Sequence, residues 1–459
     1  MKVKPKRIKL ISVQIKKLFG IFDHVIKFNC DSGITIMIGE NGLGKTVLLE
    51  MIEAFFNKNF SYFNKIEFEE MIFEFDDKVS WKLYKEQENN RDLPSLQLME
   101  TNKKQKSKPI YLNNFDQREI ARFMRRMEQN YPIRQIGARK WRDMKTGEIY
   151  GIDDLFYKFN FNFDRNLFNE YAHGSDKNLF NASEEVVSQP EWFIEKYARI
   201  NVKLIETQRL ISLSESEEKA HTKNVEKYST ALSKEIKTKL TESTELSAKL
   251  DRTYPSRLIK KIKNSTNTNV TDKFINDELK RLEDKRKLLD AVGLIEIDKD
   301  SNISYIENSS NELKNVLVLY AEDSFQKIQI FDHLSQKIEM FLSIINKRFK
   351  HKKLFIDKDK GFVFKSTTNL VKEIHLDKLS SGEQNELVLF YLLLFKTEQN
   401  SLILIDEPEV SLHISWQHTF IEDLKEIAKI NNLEVLIATH SPDIIANNWA
   451  LKVELKGVE

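Results

Sequence analysis

The sequence predicts an α/β fold in which a mixed β-sheet with flanking helices is split by an inserted helical, short coiled-coil domain. Short apolar strands lie near both ends of the 459-residue chain, at Ile34 to Ile38 and at Leu402 to Ile405. Between them, residues 214–350 place apolar side chains three or four positions apart, which is the spacing of amphipathic helices. The sheet is therefore expected to form from two distant parts of the chain.

Four segments follow from this pattern. Residues 1–85 form the first part of the split domain, residues 86–213 a mixed insertion that ends in a strand near 202–206, residues 214–350 a helical hairpin, and residues 351–459 the second part. Pro255 is expected to break the hairpin pattern into two helices, and a third helix is expected from about Asn311 to Phe349. The polar residues 86–109 are expected to form a surface loop.

Composition narrows the class of protein. Hydrophobic residues make up 41% and charged residues 31%, which is typical of a globular chain. The net charge is only +2, so a nucleic-acid surface would have to be a local patch. A single cysteine, Cys30, excludes a disulfide framework and is expected to be buried. No signal peptide and no apolar run near 20 residues is found, so we expect a cytoplasmic protein without a membrane span.

The sequence GENGLGKT lies between a predicted strand and a predicted helix, which is the setting of a phosphate-binding loop. Glycines let backbone N–H groups point at a phosphate, and the following helix adds its positive end. Lys45 can reach the β- and γ-phosphates, and the Thr46 hydroxyl can bind Mg²⁺. The predicted phosphate-binding residues are Gly39, Asn41, Gly42, Gly44, Lys45 and Thr46.

Two acidic residues end the apolar strand in LILIDEPE. The carboxyl ends of strands are where α/β sheets bind ligands. Asp406 is placed to hold the magnesium shell through water, and Glu407 to polarise an attacking water as general base. His440 follows the next predicted strand, where it could sense a γ-phosphate through a hydrogen bond.

The sequence LSSGEQ precedes the predicted apolar helix Asn385 to Phe395. Ser381 and the Gly382 amide lie at the positive end of that helix, which suits a phosphate. Lys45 already supplies a γ-phosphate contact within the same chain. A second phosphate-binding tip therefore predicts that two copies close around shared nucleotides.

Together these motifs resemble those of ABC-type ATPases. GENGLGKT resembles Walker A, LSSGEQ the signature, LILIDEPE Walker B, VSLH (Val410 to His413) the D-loop, and His440 the switch histidine. The resemblance implies ATP and Mg²⁺ as cofactors and a homodimer or higher homo-oligomer. It also implies catalytic roles for Lys45, Gln208, Glu407 and His440, magnesium contacts from Thr46, Asp406 and Gln208, and nucleotide contacts from Ser381, Gly382 and Glu383. Phe19 and Phe22 are candidates for an adenine contact, or core residues.

The long spacing between motifs resembles the non-transporter branch, the SMC, RecF and OLD-like ATPases, because 340 residues separate Gly39 from Leu379. Only 19 residues follow His440, so we expect no nuclease domain in this chain. The segments WRDMKTGEIY (Trp141 to Tyr150) and VKLIETQRL (Val202 to Leu210) resemble the PtuA family of ATPases of Septu and retron anti-phage systems. That resemblance implies regulation of a separate HNH nuclease, or else a Toprim nuclease.

Two other functions stay open at this point. One is a DNA-repair clamp of the RecF and SMC type that grips DNA without a nuclease partner. The other is a scaffold in which ATP is only a structural element, and Glu407 argues against it, because a scaffold needs no general base.

Basic residues form two clusters that could contact nucleic acid. The first contains Arg118, Arg122, Arg125, Arg126, Arg134, Arg139, Lys140 and Arg142, with Trp141 available for stacking on a base. The second contains Arg257, Lys260, Lys261 and Lys263 at the predicted hairpin turn. Each cluster could instead be a solvated face or a contact with a partner protein.

Overall fold

The computed structural model describes residues 8–86, 95–102, 105–112, 125, 128, 132–137, 140–144, 147, 149–151, 190–206, 217–264, 270–297, 305–368 and 372–457. The strands are β1 (Leu10–Leu18), β2 (Phe22–Lys27), β3 (Ile34–Ile38), β4 (Glu70–Phe75), β5 (Ser80–Glu86), β6 (Ser95–Asn102), β7 (Gln105–Lys106), β8 (Ile110–Tyr111), β9 (Ile133–Gly137), β10 (Lys140–Asp143), β11 (Ile149–Gly151), β12 (Val202–Glu206), β13 (Lys352–Asp357), β14 (Gly361–Ser366), β15 (Glu373–Ile374), β16 (Leu402–Asp406), β17 (Glu434–Thr439) and β18 (Lys452–Glu454). The helices are α1 (Lys45–Phe56), α2 (Glu191–Tyr197), α3 (Glu217–Asn264), α4 (Asp272–Ala291), α5 (Asn311–Gln329), α6 (Asp332–Arg348), α7 (Ser381–Phe395), α8 (Ile414–Asn431) and α9 (Pro442–Ile445).

The chain forms two compact units, each built from separate segments. The first unit contains residues 1–205, 399–408 and 432–459, and the second contains residues 206–398 and 409–431. Strands from both ends of the chain share one sheet of the first unit. The expected α/β fold, split by an inserted helical region, is therefore confirmed.

The first unit contains a five-stranded sheet in the order β12-β16-β17-β3-β18. β17 pairs in parallel with β16 on one side and with β3 on the other, and β18 is parallel to β3. Every residue of β16 and β17 is buried, as expected for central strands covered on both faces.

A second sheet of the first unit has the order β2-β1-β4-β5-β6-β7, with β8 paired to β6. Residues 8–38, whose alternating apolar and polar residues predict hairpin strands, contain β1 and β2. The two strands that the sequence predicts at Ile66 to Phe75 and at Val79 to Tyr84 are β4 and β5. The prediction of a loop at residues 86–109 was wrong, because residues 95–102 form β6. Leu96 and Leu98 of β6 are buried in the core, and this burial outweighs the polar composition of the segment.

Helix α1 is buried in a core that contains residues of both sheets. Phe55 of α1 stacks on Phe73 of β4 with ring centroids 4.4 Å apart, and its carbonyl accepts a hydrogen bond from the Tyr197 hydroxyl. This packing fixes α1, and with it the glycine loop that precedes the helix.

In the second unit, α3 continues through Pro255, so the expected break at this residue was wrong. The helix has 48 residues and is about 72 Å long at 1.5 Å per residue. Side chains on either side of the proline donate to the Leu250 carbonyl, five residues before it. Thr253 Oγ1 donates to the Leu250 carbonyl at 3.1 Å, and Arg257 Nη2 donates to the same carbonyl at 2.9 Å.

The single helix expected from Asn311 to Phe349 is two helices, α5 and α6, separated at Ile330 and Phe331. Phe331 is buried at this break. Asp332 begins α6, where a negative charge is favourable, and its carboxylate lies 2.6 Å from Lys285 Nζ. These tertiary contacts explain why the helix restarts.

Two further side chains differ from expectation. Cys30 is exposed, because it follows β2 in a surface turn. Trp141 is only 4% exposed, so its ring is not presented for stacking on a base. Among the helices that the structure describes, none combines the length and apolar composition needed to cross a membrane.

Candidate nucleotide-binding site

Three parallel strands of the first unit end at one edge of the sheet. Asp406 of β16 is in register with Ala438 of β17, and Thr439 of β17 is in register with Ile38 of β3. The loops that follow these strands therefore start at the same level. β17 lies between β16 and β3, so His440 follows a strand placed between the glycine loop and the two acids.

The glycine loop depends on glycine at two positions for different reasons. Gly42 and Gly44 have φ values of 89° and 84°, which side chains rarely adopt. A Cβ at Gly44 would lie 2.7 Å from Leu18 Cδ2, whereas a Cβ at Gly42 would meet nothing within 4 Å. Gly42 faces open space, and Gly44 lets α1 pack closely against β1.

Lys45 is buried and its ammonium group lies over the loop. Nζ donates to the Gly39 carbonyl at 2.8 Å and to the Glu40 carbonyl at 3.1 Å. The side chain is 6% exposed. Two backbone carbonyls of the loop therefore hold the Lys45 ammonium group. A phosphate oxygen could take their place as the acceptor.

His24 supports the loop from β2, and sequence reasoning missed it. Its Nε2 lies 2.9 Å from the Leu43 carbonyl, which requires Nε2–H to donate. Burial lowers the pKa of His24, which favours the neutral ring. The alternation of Phe22, His24 and Ile26 along β2 places His24 on the inward face, and this was the available signal.

Glu407 and His440 face each other at the sheet edge. Glu407 Oε1 lies 3.9 Å from His440 Nδ1, and the Glu407 backbone N–H donates to the Ala438 carbonyl at 2.9 Å. Glu407 has a φ of 44°, a strained conformation that costs about 1–2 kcal/mol for a residue with a side chain. Such strain is common where a side chain must be aimed at a reaction centre.

The residues present fit a phosphate group and a divalent cation. Gly42 leaves space at the loop, and Thr46 is exposed in the first turn of α1. Asp406 is buried at the end of β16. A hydroxyl and a carboxylate are oxygen ligands that suit Mg²⁺. The magnesium roles of Thr46 and Asp406 stay predictions, and Gln208 lies outside the described residues.

The signature residues lie in the second unit, at the start of α7. The helix begins at Ser381, so the expected start at Asn385 was wrong. The Glu383 carboxylate accepts from the Ser380 backbone N–H at 2.7 Å and lies 2.6 Å from Lys352 Nζ. The Ser380 hydroxyl accepts from the Glu383 N–H at 3.3 Å, which completes a capping box.

This cap leaves Ser381 and Gly382 exposed at the helix terminus. A Cβ at Gly382 would meet nothing within 4 Å. The Glu383 side chain, in contrast, is engaged by the cap and by Lys352. The terminus is therefore open to a ligand through Ser381 and the backbone at Gly382.

The D-loop and the candidate adenine contacts complete the site residues. In the D-loop, Val410 is exposed, whereas Ser411 and Leu412 are buried. Phe19 is 41% exposed, and its Cε2 would lie 3.2 Å from a Cβ at Gly44. Phe22 packs against the core and stacks on His24. Phe19 is thus an aromatic ring beside the loop.

Comparison with known families identifies the class of the chain. Residues 9–445 match the family model described as the AAA ATPase domain, and the chain therefore belongs to this family. Nucleotide binding and ATPase activity, expected from the motifs, are confirmed at the level of this class.

Two curated relatives share short regions with the chain. It is 28% identical to protein ea59 of Escherichia phage lambda over 133 residues, which cover 29% of this chain and 23% of that protein. It is 29% identical to a probable iron chelatin transport ATP-binding protein of Helicobacter pylori over 99 residues, which cover 20% of this chain and 38% of that protein. The chain thus spans less than half the length of either relative.

Solved structures with partial similarity include two SMC head domains. The head of Pyrococcus furiosus Smc bound to the C-terminal domain of ScpA has a TM-score of 0.32 at 14% identity, over 96% of this chain and 92% of that chain. The Thermotoga maritima SMC head has a TM-score of 0.31 at 11% identity, over 95% of this chain and 91% of that chain.

Substitution of the two loop glycines should separate backbone strain from steric packing. Gly44→Ala adds a clash with Leu18 to the left-handed φ, so we expect it to lower the free energy of unfolding by about 1–3 kcal/mol more than Gly42→Ala does. Denaturant unfolding without nucleotide measures both variants. Equal destabilisation would contradict the proposed packing of Gly44 against Leu18.

Proposed function

We propose that this chain is an ABC-type ATPase of the SMC and RecF-like branch that hydrolyses ATP between two copies of itself. The glycine loop, Glu407 and His440 of one copy would face Ser381 and Gly382 of the other. The supporting observation is the open start of α7. Ser380 and Glu383 satisfy each other there, while Ser381 and Gly382 stay exposed. A phosphate bound to a second copy matches this terminus.

The residues of the first unit would divide the chemistry among them. Loop amides and Lys45 bind the phosphates, Thr46 and Asp406 would hold Mg²⁺, and Phe19 would contact the adenine. Bound Mg²⁺ neutralises charge on the phosphate oxygens. Glu407 accepts a proton from the attacking water, and His440, 3.9 Å away, donates a hydrogen bond to the γ-phosphate. By the resemblance to ABC-type ATPases, Gln208 would contact this magnesium shell.

Three substitutions test this assignment. Glu407→Gln should retain ATP binding, accumulate an ATP-bound dimer and lower turnover by about 10²–10⁴-fold, because it removes the general base. Lys45→Ala should lose nucleotide binding. Ser381→Arg should retain ATP binding by the single chain and block association, because a bulky cation occupies the terminus.

Phosphate release, ATP titration and light scattering after size-exclusion chromatography measure the three effects. Turnover that survives Glu407→Gln would refute the general base. ATP-dependent association that survives Ser381→Arg would refute the shared site.

We further propose that the ATPase cycle regulates a separate effector nuclease in anti-phage defence, an HNH enzyme or else a Toprim enzyme. The support is the resemblance of Trp141 to Tyr150 and of Val202 to Leu210 to the PtuA family. A cytoplasmic location belongs to the same proposal.

The nuclease proposal predicts a physical and functional partnership with a neighbouring gene product. The tagged chain should co-purify with the nuclease encoded beside it, and Lys45→Ala should abolish protection of cells in a phage plating assay. Unchanged protection by the Lys45→Ala chain, with normal expression, would contradict regulation by nucleotide. An absence of any neighbouring nuclease would favour the DNA clamp described next.

A DNA-gripping clamp without a nuclease is the second candidate function. It is favoured by Arg134 and Arg142, which face each other across the antiparallel pair β9 and β10 and are both exposed. Like charges directly opposite each other destabilise a sheet, and a bound phosphate would relieve this repulsion. Within the described part of the chain, neither arginine is seen in an ion pair.

The second basic cluster supports this function less. Arg257 contacts Asp323 through two nitrogens at 2.5 and 2.7 Å, and Lys261 lies 2.8 Å from Glu322. These charges hold α3 to α5 and are partly neutralised. Part of this cluster is therefore structural.

Salt-dependent DNA binding tests the arginine pair. Replacement of both Arg134 and Arg142 by alanine should weaken binding of a duplex and lower the slope of log K against log salt by about 2, since each lost phosphate contact removes about 0.9. Lys260→Ala with Lys263→Ala is the matched control and should leave the slope unchanged. The clamp proposal fails if the two double variants behave alike.

A further inference from the structure

Three helices of the second unit meet at one buried arginine. Arg348 is the last residue of α6, and its side chain is only 5% exposed. Its Nε lies 2.7 Å from Glu386 Oε1 on α7. Its Nη2 contacts the Asp423 carboxylate on α8 and donates to Thr419 Oγ1 at 3.2 Å. The guanidinium also lies 4.6 Å from the centre of the Phe390 ring.

The charges of this cluster balance only if it holds one proton. One guanidinium faces two carboxylates, and Glu386 is fully buried. Burial raises the pKa of Glu386 to about 8, with Arg348 opposing and Asp423 and Glu383 adding to the shift. Burial also raises the pKa of Asp423, although Arg348 and Lys347 act to lower it. Near neutral pH, a protonated Glu386 leaves the cluster without net charge.

Each of the two carboxylates belongs to a helix that continues from a predicted interface motif. Glu386 lies five residues after Ser381, and Gln384 Nε2 donates to the carbonyl of Leu379, the first residue of the signature, at 2.9 Å. On α8, Gln417 Nε2 donates to the Glu409 and Leu412 carbonyls, each at 3.3 Å, which holds the D-loop backbone. Contacts through Arg348 therefore connect the D-loop to the signature inside one unit.

We propose that Arg348 is a positioning residue that fixes α7 and α8 as one body, so that the signature and the D-loop reach a second copy together. This inference rests on the proposed ATP-sandwich function. A buried ion pair is weak evidence for stability, because apolar residues of the same volume often stabilise a fold equally well. What a planar guanidinium supplies is a fixed geometry toward two carboxylates and a hydroxyl.

The test uses the full chain with Glu407→Gln as the parent, which should form an ATP-dependent dimer. Arg348→Lys keeps the charge but cannot reach all three partners. ATP affinity of the single chain should stay within about two-fold, while the dimer should dissociate about ten-fold more readily. Arg257→Lys is the matched control. It loosens another arginine–carboxylate pair of the same unit, with Asp323, and should leave association unchanged.

The pH dependence of dimerisation, measured where the chain stays folded, provides a readout that a purely structural role would not move. Above pH 8, Glu386 loses its proton and the cluster becomes negative, so dimerisation of the parent should weaken between about pH 7 and pH 9. Glu386→Gln stays neutral and should show no such loss. Since the folded pKa lies above the ordinary 4.5, the free energy of unfolding of the parent should also fall from pH 4.5 to 8, and less so in Glu386→Gln.

The outcomes distinguish failure of the proposed ATP-dependent association from failure of the positioning role of Arg348. A parent that does not associate with ATP overturns the proposed function and this inference with it. A parent that associates, with Arg348→Lys equal to it and with the same pH profile for Glu386→Gln, overturns only the positioning role. If Arg348→Lys does not fold, the nearly isosteric Glu386→Gln comparison alone decides.

Discussion

The parallel, in-register pairing of β16, β17 and β3 is the constraint on which the candidate site depends. β3 precedes β16 and β17 by hundreds of residues, yet the carboxyl ends of the three strands stop at one level of the sheet. Each strand is continued by a loop that carries predicted site residues, so the pairing of the strands brings these loops to one edge. The fully buried strands β16 and β17 hold this level, and the core around α1 holds the glycine loop against it.

The local sequence pattern predicted the secondary structure where consecutive or alternate residues of a segment are buried. The apolar runs predicted β3, β16 and β17, and the alternation of residues 8–38 predicted the hairpin. Pattern failed where a distant contact decides. Pro255 stays in a helix that the nearby Arg257 joins to Asp323 of α5, and the break at Phe331 depends on burial. Neither effect can be seen in the local sequence.

The same distinction applies to the site. The motif residues were proposed from the sequence, because phosphate chemistry ties residue type to spacing, and their roles stay predictions. His24 and Arg348 could not be assigned roles, since each acts through a partner elsewhere in the chain. His24 supports the Leu43 carbonyl from another strand, and Arg348 joins helices whose residues lie 38 and 75 positions further on. Supporting contacts of this kind become visible only in three dimensions.

The capping box at the start of α7 has a consequence for how such chains diverge. Ser380 and Glu383 stabilise the start of the helix, whatever happens at the exposed terminus beside them. A descendant that had lost enzymatic turnover would still be selected to keep this serine and glutamate for folding. Retention of Ser380 and Glu383 in a homologue would therefore indicate only that the helix is preserved. Under the proposed function, retention or loss of Ser381 and Gly382 would indicate whether the activity is preserved.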